Sequence, residues 1–174
     1  MVSPGRRVLV IGYGNPGRLD DGLGPALAEM LAGRNLPGVT VDADYQLTVE
    51  DAAAVAEHDL VVFADAAVSG TAPFWVRRIT PAARWTFTTH SVAPESVLGM
   101  AREMFGATTP GYAMGIRGYA FDEFGEGLTP QARRNLDAAA AYLELALRNG
   151  DLREVGHGPR ACGTVRAPAL HGDA

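Results

Sequence analysis

A single cysteine, Cys162, in 174 residues leaves no partner for an internal disulfide and points to a reducing compartment, so the chain is expected in the cytoplasm. Positive charge is scarce: 15 Lys and Arg against 20 Asp and Glu give a net charge of -5. That leaves no basic excess to displace counterions from a phosphate backbone, and nucleic acid is excluded as a partner on this ground. No apolar run approaches the roughly 20 residues of a membrane-spanning helix, so no membrane partner is expected. Arg6 and Arg7 lead into a short apolar run rather than a signal peptide, and no internal repeat is present. What remains is ordinary globular composition, 47% hydrophobic with a mean hydropathy of +0.01. At this length one domain buries roughly 70% of its unfolded surface, and a monomer is expected.

The informative stretch is residues 7–27. Residues 8–11, Val-Leu-Val-Ile, are apolar without alternation, as in a parallel strand buried on both faces. Gly12, Gly14 and Gly17, with Asn15 and Pro16, form a loop. Leu23, Leu27 and Met30, with Ala26, then repeat at helical spacing. The loop is therefore a strand-to-helix turn, which in open α/β sheets lies where ligands bind. The same residues form a G-x-G-x-x-G pattern, and Asp42 or Asp44 could serve as a ribose-binding acid, so a dinucleotide module is the obvious competitor. Electrostatics oppose it, because Asp20 and Asp21 stand where a pyrophosphate would need the positive end of the helix. One of these acids can cap the helix; capping needs only one, and the other is free to face the cleft.

Further along, the spacing predicts a helix over 21–31, a strand over 39–42, a short loop at Tyr45, Gln46 and Leu47, and a helix over 49–57. Residues 60–64 form a second wholly apolar strand that ends on Asp65. Residues 74–79 alternate and suit an edge or antiparallel strand. A loop over 80–93 carries His90 and Ser91, and Pro94 opens a helix to Phe105. A fifth strand is expected over 112–119, then a loop with Asp122, Glu123 and Glu126. The last helix has Thr129 as its cap, Pro130 at its first position and Gly150 past its end. Its stripe of Ala132, Leu136, Ala139, Leu143 and Leu147 reads as core. Residues 1–150 thus read as a single α/β domain, a three-layer α/β/α sandwich on a mostly parallel, five-stranded twisted sheet. Residues 151–174 lose periodicity and read as an unstructured tail. His157, Cys162 and His171 in that tail match no structural zinc spacing.

If the two wholly apolar strands are neighbours, Asp21 and Asp65 face each other across a cleft, and His90 can reach the same rim. Two close carboxylates repel unless a cation intervenes, and an imidazole would complete a mixed oxygen and nitrogen set suited to zinc or nickel. Ser91 is a conceivable nucleophile, but nothing near it reads as a third triad member.

Residues 11–24, Ile-Gly-Tyr-Gly-Asn-Pro-Gly-Arg-Leu-Asp-Asp-Gly-Leu-Gly, resemble the N-terminal signature of the nickel–iron hydrogenase maturation endopeptidases. Ala64-Asp65-Ala66, Thr89-His90-Ser91 and Gly127-Leu128-Thr129-Pro130 are similar to that family's later landmarks, in the same order. The match spans about residues 7–148. The resemblance implies a protease that removes the C-terminal peptide of a hydrogenase large-subunit precursor after nickel insertion. It implies Asp21, Asp65 and His90 as catalytic and metal-ligating residues. It also implies no permanently bound cofactor: the nickel is presented by the substrate, and zinc or cadmium can take its place. The family's first ligand is Asp or Glu, so Asp21 is within its range. Gly14-Asn15-Pro16-Gly17 also resembles the start of peptidyl-tRNA hydrolases, which an acidic chain with Asp20-Asp21 at this turn suits poorly. A dinucleotide- or metal-binding Rossmann-like module remains the non-enzymatic alternative.

Overall fold

The two wholly apolar runs become adjacent central strands. In the computed structural model, which describes residues 5–84 and 92–159, β1 (Val8–Tyr13) pairs in parallel with β3 (Leu60–Ala67), Gly12 opposite Ala64. β2 (Val39–Asp44) flanks β1, and β5 (Gly111–Arg117) flanks β3. β4 (Phe74–Ile79) closes the far edge, antiparallel to β5, so the order is β2-β1-β3-β5-β4. The alternating segment is thus both the edge and the antiparallel member, as its pattern suggested.

Alternation along each strand sends side chains to two separate cores. Val8, Val10, Leu60 and Val62 pack under α1 (Leu23–Ala32) and α4 (Pro130–Asn149). Leu9, Ile11, Val61 and Phe63 pack under α2 (Asp51–Ala56) and α3 (Pro94–Phe105). The result is the expected three-layer sandwich. The punctuation of α4 holds: the Thr129 hydroxyl accepts from the Ala132 N–H, and Gly150 takes the left-handed conformation past its end. No helix among the described residues is long and apolar enough to cross a membrane.

Boundaries depart from expectation where tertiary bonds compete with local pattern. β3 does not end on Asp65 but runs on to Ala67, because Asp65, Ala66 and Ala67 pair with Gly115, Ile116 and Arg117 of β5. β5 stops at Arg117 rather than 119, since the Tyr119 N–H turns to the Asp20 carboxylate. The expected helix from residue 21 is first a 3-10 turn, Leu19–Gly22, and only then α1.

The largest correction concerns the C-terminal segment. Residues 151–159, expected to lack structure, are docked along the outer edge of β4. Val76 and Val155 exchange backbone hydrogen bonds of 2.8 and 2.9 Å, and the Thr71 N–H donates to the His157 carbonyl at 3.0 Å. The Trp75 ring lies between Gly115 and Gly158, so closely that a Cβ on either glycine would collide with it. An exposed edge strand is a liability, and this strap covers it. Residues 160–174, with Cys162 and His171, lie outside the described residues. Removing residues 151–174 should cost about 2 kcal/mol through lost edge hydrogen bonds and uncovered apolar surface, lowering the melting temperature by about 4–8 °C. An unchanged thermal melt would contradict the docking of the strap.

Candidate functional site

The glycine turn after β1 is built by close backbone approach. A Cβ on Gly12 would collide with the Gly24 carbonyl at the start of α1, and Gly14 sits at a φ of +141°. The N–H groups of the turn are already used. Gly14 donates to the Asp44 carbonyl at 3.0 Å, Asn15 to the Asp21 carboxylate at 2.9 Å, and Gly17 to the Asn15 side chain at 2.9 Å. A dinucleotide pyrophosphate needs such donors free, so the structure argues against that competitor.

Neither acid caps a helix, contrary to the expectation for one of them: no side chain bonds the N-terminus of the 3-10 turn or of α1. Asp20 has a different task. It is fully buried and accepts from the backbone of Tyr119 and Ala120 at 2.8 and 3.1 Å. It also accepts from the backbone N–H and the hydroxyl of Thr129, both at 2.8 Å. Burial pushes this carboxyl up, but the bonds from Thr129, Tyr119 and Ala120 outweigh it and hold it below the usual carboxylate range. One buried carboxylate thereby ties the exit of β1 to the exit of β5 and the start of α4.

Asp21 is left half-buried at the mouth of the sheet. Across from it, in neighbouring β3, burial pushes Asp65 up to about 7; the Ala66 N–H opposes this, the nearby Asp21 charge adds to it, and a Tyr13 hydrogen bond lowers it. The structure thus brings together the two carboxylates that the sequence singled out. Tyr13, the variable residue of the Gly-x-Gly turn, escaped sequence reading. Its hydroxyl bonds Asp65, and burial, then the Asp65 charge, raises its pKa above the usual phenol range. Asp65 and Tyr13 open into a pocket of about 250 Å³ floored by Phe63, Trp75 and Met114. Arg77 of β4 and Glu95 of α3, also unforeseen, pair at 3.0 Å on its wall.

His90 and Ser91 lie outside the described residues; Pro94 and Glu95, which follow them, line the pocket that Asp65 opens into. Among the described residues no group of three or more His, Cys, Asp or Glu side chains forms a metal cluster. His157 sits in the strap, its backbone N–H donating to the Thr71 hydroxyl at 2.9 Å.

Comparison with known proteins bears on this arrangement. No protein-family model matches the chain, and no curated sequence matches it. Solved structures do. A [NiFe] hydrogenase maturation protease from Thermococcus kodakarensis superposes with a TM-score of 0.65 at 23% identity, covering 84% of this chain and 96% of that one. A hydrogenase 2 maturation peptidase from a Thaumarchaeota archaeon gives 0.62 at 22% identity, covering 84% and 100%. An endopeptidase from Escherichia coli gives 0.65 at 26% identity, covering 86% and 97%. The class defined by the fold is a mostly parallel three-layer α/β protein with an acid-lined cleft at its carboxyl end. Within that class, the chain has the fold of the hydrogenase maturation proteases.

The two acids of the first turn should behave differently. Asp20→Ala should cost about 3 kcal/mol or more, because it strands buried donors that now meet a charge, whereas Asp21→Ala should stay within about 1.5 kcal/mol of the parent; equal denaturation midpoints would refute the assignment. Asp65 carries the opposite pH signature. Its folded pKa lies above its unfolded value, so between about pH 4 and 7 the folded state holds the extra proton and stability falls as pH rises. Asp65→Asn should therefore match the parent near pH 4 and gain on it up to about pH 7, then level off. A constant difference across that range would refute the burial of this carboxyl.

Proposed function

We propose that the chain is an endopeptidase that removes the C-terminal peptide of a [NiFe] hydrogenase large-subunit precursor once nickel is in place. The observation that supports it best is the pair of carboxylates, Asp21 in the turn after β1 and Asp65 on the neighbouring parallel strand β3, with Asp65 desolvated enough to resist ionisation beside its neighbour. A divalent cation lying between them relieves both penalties. Supplied by the substrate, that cation becomes the recognition element, since a nickel-free precursor offers nothing to offset the repulsion. The fold shared with hydrogenase maturation proteases supports the same reading. So does the early turn, whose N–H groups are committed to Asp21, Asn15 and Asp44 rather than to a phosphate.

In this reading Asp21, Asp65 and His90 engage the substrate's nickel, no metal resides permanently in the enzyme, and the scissile segment lies in the pocket beside Asp65. Hydrolysis adds water across the amide, with the hydroxyl going to the carbonyl carbon and the proton to the departing amine. The ion or a carboxylate activates that water, and no covalent intermediate forms. The protein is expected to act as a cytoplasmic monomer.

Incubation with nickel-loaded and with nickel-free precursor, followed by mass spectrometry of the precursor's C-terminus, tests this. Shortening of the nickel-loaded form alone is expected, abolished by Asp21→Ala, Asp65→Ala or His90→Ala in protein that still folds. Equal processing of both precursors, or full activity in those variants, would overturn it.

A further inference from the structure

Five of the eight large hydrophobic residues exposed among the described residues sit at one end of the molecule. Tyr45 and Val49 follow β2, Val68 follows β3, and Tyr119 and Phe124 follow β5. These three strands are parallel, so all five residues belong to the loops that surround Asp21 and Asp65. Tyr45, Val68 and Phe124 are 69%, 67% and 82% exposed, far more than side chains of this size need to be. Two of the aromatic rings are also held in place. Arg18 stacks over the Phe124 ring at 5.0 Å, and Arg117 lies 5.3 Å over Tyr119 while donating to the Val68 carbonyl. The end of β2 and the loop after β5 also carry the exposed acids Asp42, Asp44, Asp122, Glu123 and Glu126.

Apolar side chains gathered round a cleft mark a surface for a macromolecule. The pocket beside Asp65 has room for a few residues of chain, whereas a specific protein interface needs about 800 Å² per partner. We propose that this rim docks the folded body of the protein substrate, through an apolar patch edged with basic side chains on that partner, while its C-terminal segment enters beside Asp65. This rests on the peptidase reading above and adds where affinity comes from. A second copy of the chain fits the rim poorly, because each copy would bring five exposed acids against only two rim arginines, Arg18 and Arg117.

The test compares binding and processing of one nickel-loaded large-subunit precursor by the parent and by a Tyr45→Ser, Phe124→Ser double variant. Both sites are exposed, so an unchanged thermal melt is the first check. The expected result is a Kd and KM about tenfold higher, kcat unchanged, and binding by the parent that weakens as salt is added. A Met104→Ser, Phe105→Ser variant, altered at the far end of α3, should bind like the parent. Unchanged Kd in the rim variant, equal weakening in the α3 variant, or a parent dimer that the rim variant dissociates would overturn the docking proposal. Tight rim-dependent binding without cleavage would overturn the peptidase reading alone, and a parent that neither binds nor cleaves the precursor would overturn both.

Discussion

Four hydrogen bonds converge on the buried carboxylate of Asp20, and the rest of the site depends on them. They join three segments at one buried point: the turn after β1, the loop after β5 and the cap of α4. The Thr129 hydroxyl donates to Asp20 while accepting from the Ala132 N–H, so one side chain serves the tie and the helix start together. With Asp20 fixed inward, the next residue is turned to the cleft. Adjacent acids in the sequence thus differ in placement, one consumed by the buried tie and one left facing the cleft.

The cleft itself is a place where stability is given up. Asp65 sits on a central strand where burial opposes its ionisation, beside a second carboxylate and beneath a tyrosine hydroxyl. Nothing in the packing of β3 requires an acid there, since the apolar run before it already fills both cores. An ionisable group buried at such a position marks a candidate functional site. The edge of the sheet shows the contrary case: the strap over β4 improves stability by covering Trp75 and Val76, and its Pro159 reaches the pocket wall.

Much of this was legible in the residues. Two apolar runs without alternation marked β1 and β3 as central, and the alternation of residues 74–79 marked the antiparallel edge. Pro94, Thr129, Pro130 and Gly150 marked helix ends that the structure reproduces. Asp21 and Asp65 could be picked out because each follows a wholly apolar run. The rest needed the third dimension. The role of Asp20 rests on partners about a hundred residues away, where local rules see only a helix cap. Tyr13 occupies a position at which the glycine pattern accepts any residue. The strap over 151–159 lacks periodicity because it is held by one bridge and a few isolated hydrogen bonds, which leave no repeating signal in the chain.

The central claim is that the carboxylates of Asp21 and Asp65 share a cation carried in by the substrate. X-ray absorption at the nickel edge of the loaded precursor, taken with and without the enzyme, tests it most directly. The account predicts new oxygen or nitrogen neighbours around the nickel when the enzyme is present, lost with the Asp21→Ala variant. A nickel spectrum that does not change on formation of a complex competent for cleavage would contradict it.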